Sequence, residues 1–260
     1  MAKIIKAEIF TNEKIATDIY KMTLKSEYIA QSAMPGQFVN VKCSEGLNAL
    51  LRRPISICTV DRINSTFDII YQIKGIGTQY LSQKNTEGIV DIIAPLGNLF
   101  DINEDFKRIA VVGGGIGIFP LLFLLEQKRN AVRASFLGFR SKEFIVLEDK
   151  FKSSSEALFI CTEDGSAGHK GLVTEPLESE LKQNKYDIIY ACGPTPMVKR
   201  VSQIAKENSV KCQVSLEQRM GCGIGACLVC ACKIRLGDEW EYSHVCKDGP
   251  IFWSEEVLFE

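Results

Sequence analysis

Near residue 106 the pattern of this 260-residue chain changes, and that change limits what it can fold into. Before it, KIIKAEIF, TDIYKMTL, QFVNVKC, PISICTV, TFDIIYQI and GIVDIIAPL are rich in β-branched and aromatic residues, with Pro35-Gly36, Asp61 to Ser65 and Gly88 as turn signals. Six short strands at this spacing predict a small antiparallel β-barrel. After it, KRIAVVGGG reads as a buried strand ending in glycines, and FPLLFLLEQKR follows with helical spacing. RASFLGFR, EALFICTE and YDIIYACGP continue as strands, and SKEFIVLEDKF, LVTEPLESELKQ and PTPMVKRVSQIAKE are the helical stretches between or after them. Strand alternating with helix predicts a doubly wound parallel α/β unit, closed by VKCQVSLE as its last strand. The residues from Ser215 onward are too short and too cysteine-rich for an independent core, and a metal would help them fold. The expected division is a barrel over 1–102, an α/β unit over 103–214 and a cysteine segment over 215–260.

Lysine and arginine number 31 against 32 aspartate and glutamate, so no basic excess recommends nucleic acid or an acidic membrane as partner. Small molecules or proteins are the expected partners. The N-terminal MAKIIKAEIFTNEK has neither a long apolar region nor a small-residue cleavage site, and no run of about 18 apolar residues occurs. A soluble, cytoplasmic protein is expected. In a reducing compartment its clustered cysteines read as metal ligands or reactive thiols before disulfides.

Cys222, Cys227 and Cys230 are spaced C-x4-C-x2-C, with Cys246 following. Plant-type [2Fe–2S] sites use that spacing with a distant fourth cysteine. Gly221, Gly223, Gly225 and Ala226 let the backbone wrap closely and aim amide N–H groups at sulfur. Zinc is the alternative, but it would usually show two C-x2-C knuckles or histidines, and here there is one such pair. Cys232 reads as a spare, buried thiol, and Cys43, Cys58, Cys161 and Cys212 as small apolar residues of strands. His169 and His244 have no matching partner set. Leu228, Ile251, Phe252 and Trp253 are candidates either for a partner contact or for packing over the cluster.

Three further segments bear on ligands. Arg52-Arg53-Pro54-Ile55-Ser56 stands at the entry of a barrel strand, where an arginine fork can clamp a pyrophosphate. Lys74-Gly75-Ile76-Gly77-Thr78 opens a short helix whose first amides would favour an anion. Each by itself also reads as a surface turn. Gly113-Gly114-Gly115-Ile116-Gly117 follows a strand and opens a helix, as a dinucleotide site requires, but Ile118 stands where G-x-G-x-x-G needs its third glycine. A plain Rossmann dehydrogenase is disfavoured. Cys192-Gly193-Pro194-Thr195-Pro196-Met197 ends a later strand, and its small residues leave room for a nicotinamide ring or simply start a helix. Arg140 follows the second α/β strand, where a cation could accept a 2′-phosphate.

Taken in order, RPIS, IKGIGT, GGGIGIFPLL and CGPTPM resemble the ferredoxin–NADP⁺ reductase superfamily over roughly residues 1 to 212. The tail, MGCGIGACLVCACK and then HVCKDGPIF, is similar to the electron-transfer subunits of NAD-dependent dihydroorotate dehydrogenases, as is the double arginine of RRPIS. That resemblance implies FAD in the barrel, a [2Fe–2S] cluster in the tail and NAD as electron acceptor. It also implies an FMN-containing catalytic partner subunit, in a heterotetramer of two of each, serving pyrimidine biosynthesis. Carried over by motif, Arg53, Pro54, Ile55, Ser56, Ile70, Tyr71 and Gln72 line FAD, and Gly77 and Thr78 hold its phosphate region. Gly113, Gly114, Gly115, Gly117, Cys192, Gly193 and Pro194 hold the nicotinamide nucleotide, and Cys222, Cys227, Cys230 and Cys246 ligate iron. No side chain is required as acid, base or nucleophile. Ile55 departs from the wider superfamily, which often has an aromatic residue against the flavin. The alternative is the flavin subunit of a related NADH-dependent reduced ferredoxin:NADP⁺ oxidoreductase or of a sulfhydrogenase; in the former an aspartate replaces the first cluster cysteine, here Cys222.

Overall fold

The computed structural model describes residues 2–259. Six strands, β1 (Lys3–Ala16), β2 (Ile19–Lys25), β3 (Phe38–Val41), β4 (Arg53–Asp61), β5 (Thr66–Gln72) and β6 (Ile89–Leu96), close an antiparallel barrel in the order β1-β2-β5-β4-β3-β6. Alternation along the strands turns Ala7, Ile9, Met22, Leu24, Val39, Val41, Ile57 and Ile69 into one interior, and closure leaves no strand edge to pair with another chain. Two short helices interrupt it. α1 (Glu27–Ser32), which the strand pattern does not announce, is capped by the Ser26 hydroxyl accepting from the Ile29 amide at 3.4 Å. α2 (Ile76–Ser82) is the expected helix after the glycine turn.

The α/β unit runs β7 (Arg108–Gly114), α3 (Phe119–Gln127), β8 (Val132–Phe139), α4 (Glu148–Ser153), β9 (Ala157–Thr162), β10 (His169–Lys170), α5 (Thr174–Gln183), β11 (Ile188–Cys192), α6 (Thr195–Glu207) and β12 (Lys211–Ser215). Its parallel sheet reverses direction of winding at β7, between β8 and β11, so a crevice opens beyond the carboxyl ends of β7 and β11. α3 is buried on every side from Phe119 to Leu125, because it lies between the sheet and the barrel; Phe123 belongs to the barrel core.

One expectation fails at the sheet edge. β12 is not the last strand: β15 (Ile251–Trp253), from the cysteine segment, pairs antiparallel beyond it. β13 (Ala231–Leu236) and β14 (Glu239–His244) form a separate hairpin. Cys230, Ile234, Val245, Cys246 and Phe252 share a core with Phe38 of the barrel and Val214 of the sheet, so the segment is wedged between them. That is how a stretch too short for its own core stays folded. No described helix is long and apolar enough to cross a membrane.

Candidate redox site

Antiparallel pairing sets the start of β4 beside the end of β5. Arg53, Pro54, Ile55 and Ser56 therefore share one cleft of about 440 Å³ with Ile70, Tyr71 and Gln72, a size usual for small-molecule sites. Thr78 adds to it from α2, and Ile116, Gly117, Phe119, Pro120 and Cys192 from the α/β unit. Arg53 donates from Nη1 to the carbonyls of Leu51 at 2.6 Å and Arg52 at 3.3 Å. Its guanidinium lies over Gly77, where a Cβ would fall 2.9 Å from Nε, so Gly77 does not line the cleft but makes room for the arginine that does. The Thr78 hydroxyl accepts from the amides of Lys74 at 3.0 Å and Gly75 at 3.4 Å. Two of that turn's donors are thus engaged within the protein, and Arg53 and Lys74 bring positive charge to the cleft. Tyr71 donates its hydroxyl to Asn12 Oδ1 at 2.9 Å and stacks on Tyr20; burial raises its pKa, so the phenol stays neutral.

A second groove, of about 660 Å³, adjoins the first. Of the expected nucleotide residues, Gly114, Gly115, Gly193 and Pro194 line it, whereas Gly117 and Cys192 face the first cleft and Gly113 lies beneath, its missing side chain filled by Ile118. A Cβ on Gly117 would fall 2.4 Å from the Cys192 carbonyl oxygen, and one on Gly193 2.9 Å from the Gly114 amide nitrogen, so the turns after β7 and β11 press together at glycines. Burial, with a push from the Glu217 carboxylate, raises the Cys192 thiol to about 12 against the opposing Ser215 hydrogen bond, and it stays protonated. Arg140 lines the groove, with Glu163 from the end of the neighbouring strand.

Gln72, Lys74, Ile116 and Glu217 line both cavities and so mark where they meet. Glu217 had no sequence signal; it follows β12 as one acid among many. Its side chain is reached by solvent through the open cleft yet surrounded by protein, and this burial raises its pKa, with Lys74 opposing. Lys74 belongs to the glycine turn before α2, and nothing local indicates that it faces an acid from beyond β12.

The four expected cysteines lie together as two pairs. The Cys222 amide donates to Cys227 Sγ at 3.3 Å, and the Cys246 amide to Cys230 Sγ at 3.4 Å. Ile224, Ala226 and Cys227 aim their N–H groups at Cys222 Sγ from 3.2 to 3.4 Å, and Gly225 aims its own at Cys246 Sγ at 3.1 Å. Burial opposes the Cys222 thiolate, but those amides outweigh it and bring the thiol to about 6, whereas burial pushes Cys246 up to about 12. Among the described residues no three His, Cys, Asp or Glu side chains converge as one metal ion would need. The two thiol pairs, with five amides aimed at three of their sulfurs and Gly225 bridging to Cys246, are a donor set that fits a binuclear cluster. Cys227 is exposed and Cys222 half-buried, while Cys230 and Cys246 are buried.

Cys232 is half-buried on β13, and Cys43, Cys58, Cys161 and Cys212 are buried in or beside their strands. Both histidines have carboxylate neighbours: His169 contacts Glu175 at 2.7 Å and His244 lies 3.6 Å from Asp248, away from either cavity. Ile251 and Phe252 are core residues of β15, so of the four candidates for a partner contact Leu228 is the exposed one, beside exposed Ile224 and Val229.

Residues 217–258 match the family model described as the iron–sulfur cluster binding domain of dihydroorotate dehydrogenase B. Over 255 residues, 98% of each chain, the protein is 43% identical to the dihydroorotate dehydrogenase B (NAD⁺) electron transfer subunit of Caldanaerobacter subterraneus subsp. tengcongensis. It is 40% identical to the subunit of the same name from Geobacillus sp., over 99% of this chain and 100% of the other. Among solved structures, a chain of NADH-dependent reduced ferredoxin-NADP oxidoreductase, described for flavin-based electron bifurcation, superposes with TM-score 0.87 at 31% identity, covering 100% of this chain and 92% of that one. Ferredoxin-NADP⁺ reductase from Plasmodium falciparum shares the fold, with TM-score 0.65 at 12% identity over 81% of this chain and 96% of that one.

Proposed function

Since this chain belongs to the electron transfer subunits of NAD-dependent dihydroorotate dehydrogenase B, we propose that its two cavities and its four-thiol loop form one electron path ending at NAD⁺. The chain is an oxidoreductase subunit that carries FAD, a [2Fe–2S] cluster and NAD, and works with a catalytic subunit in pyrimidine biosynthesis. When bound, the flavin exchanges hydride for single electrons and the cluster carries one electron at a time.

The observation that carries the reading is the meeting of the two cavities at Gln72, Lys74, Ile116 and Glu217, with the thiol loop held against the same barrel. In this reading Arg53 clamps the FAD pyrophosphate, while Pro54 to Ser56 and Ile70 to Gln72 wall its ring. Gly114, Gly115 and Gly193 seat the nucleotide backbone, since main chain without side chains lets phosphates approach amides, and Pro194 adds an apolar wall beside them. The protonated Cys192 thiol lines the first cleft as a small, uncharged neighbour of the flavin. Cys222 and Cys227 hold one iron, and Cys230 and Cys246 the other. Residues 1–102, 103–214 and 215–260 serve as flavin, nucleotide and cluster units. The partner is FMN-containing and joins this chain in a cytoplasmic heterotetramer of two of each, docking over Ile224, Leu228 and Val229, apolar residues exposed beside the outer cysteine pair.

The test is to assay this chain, the catalytic subunit and their mixture for NADH formation from dihydroorotate, with flavins and iron confirmed present. Activity is expected from the mixture alone. Activity from this chain by itself, or none from the loaded mixture, overturns the reading.

A further inference from the structure

One side chain that no motif contains joins the flavin cleft to the thiol loop. Asn40 lies on β3, paired in register with Pro54 of β4, a residue of the cleft wall. Its neighbours Val39 and Val41 fill the barrel, so strand alternation turns Asn40 to the outer face. There Nδ2 donates to the Cys222 carbonyl at 2.9 Å, a contact between residues 182 positions apart. Gly223, next in the loop, has φ +73°, and a Cβ on it would fall 2.2 Å from the same Nδ2; only a glycine lets the loop press this closely. Arg52, ion-paired with Asp91 at 2.6 Å, also donates to the Asn40 carbonyl at 3.4 Å, tying down this point of the strand.

Asn40 is 1% exposed, and its Oδ1 is buried without a hydrogen-bond partner. Flipping the amide offers no remedy, because Oδ1 would then face the Cys222 carbonyl, acceptor against acceptor. An unpaired buried polar atom costs free energy that an apolar side chain of similar shape would not, so packing alone does not account for asparagine here.

We propose that Asn40 is a positioning residue: it fixes the Cys222 edge of the thiol loop against the wall of the flavin cleft, and thereby the separation of cluster and flavin. This rests on the cofactor reading above. Electron transfer falls steeply with separation, so a loop released from Asn40 passes electrons more slowly.

The experiment uses the complete chain with flavin and cluster bound, as wild type, Asn40→Leu and Asn40→Asp. Leucine keeps the volume and loses the donor; aspartate keeps the shape and turns an acceptor on the Cys222 carbonyl. Flavin and iron per chain, the visible circular dichroism of the cluster, and the stopped-flow rate at which the cluster bleaches after NADH reduces the flavin are measured. Flavin and iron are expected to be retained, with altered dichroism and bleaching slowed about tenfold or more in both variants. Wild-type dichroism and rate in both variants overturn the proposal. So does joint loss of flavin and iron in both, which assigns Asn40 to core packing. A wild-type chain that binds neither cofactor overturns the cofactor reading instead.

Discussion

At the scale of single residues, the cysteines divide by what their sulfurs face. Cys222, Cys227, Cys230 and Cys246 exchange amide-to-sulfur hydrogen bonds, whereas Cys232 pairs across the hairpin with Ser243 and burial pushes its thiol up to about 11. Serine at any of the first four is expected to lower iron and sulfide per chain, and Cys232→Ser to leave both unchanged, as iron and acid-labile sulfide assays will show. Arg53→Ala removes the cleft's charged fork. A charge-assisted hydrogen bond contributes about 1.5 to 3 kcal/mol, so FAD affinity should fall roughly tenfold to a hundredfold, read by flavin retained on dialysis. Glu217 adds a pH dependence. Its folded pKa lies above its unfolded one, so the stability it contributes is full below the ordinary carboxyl value of 4.5 and is lost as pH rises through the folded pKa. Glu217→Gln removes that loss, and its melting temperature relative to wild type should therefore increase from acid to neutral pH. The grouping of Cys222, Cys227 and Cys230 was legible in sequence because spacing within one loop is a local property, whereas Cys246 reaches them from beyond the β13–β14 hairpin. Glu217 was not legible, because an acid after a strand end has no signature until the opposite unit supplies Lys74.

Among elements, the six barrel strands, the main α/β strands and the helices α3, α5 and α6 stand where the sequence predicts them, α4 covers only the second half of its expected stretch, and β10 and β14 had no sequence signal; the further misses have local causes. α1 rests on a serine cap and two buried residues, Ile29 and Ala30, too little for a helical pattern to show. β15 is three residues long, and what makes it a strand is the open edge of β12 beside it. The glycine turn after β7 shows how an element's geometry is tied to its neighbour. Gly115 has φ +54° with no atom near its absent side chain, whereas Gly117 has no room at all, its Cβ position lying 2.7 Å from Gly193 Cα as well as against the Cys192 carbonyl. Gly115→Ala should cost about 1 to 2 kcal/mol, from left-handed backbone strain alone. Gly117→Ala must displace backbone, so it should cost at least as much, about 1 to 3 kcal/mol, and also disturb the cavity junction. Urea unfolding of both variants, with NADH titration of the loaded protein, separates the two effects.

For the whole molecule, the cluster segment is tied into both other units: β15 extends the sheet, and Cys230 and Cys246 share a core with Phe38 and Val214. Removing iron therefore should loosen more than a peripheral loop. Calorimetry is expected to show a lower melting temperature on iron removal for the transition that contains the sheet, and an unchanged transition would refute the coupling. The amino-acid sequence by itself determined the succession of barrel, α/β unit and thiol segment, along with the close spacing of Cys222, Cys227 and Cys230, since strand period, helix period and cysteine spacing are written within a few neighbouring residues. Only the tertiary structure decided that Gly117 and Cys192 face the cleft beside Arg53 rather than the groove beside Arg140, that Lys74 and Glu217 share the junction, and that Asn40 reaches Cys222. Such contacts join residues far apart in the chain, and no local pattern encodes them: they exist once barrel closure and sheet winding have brought distant backbone together.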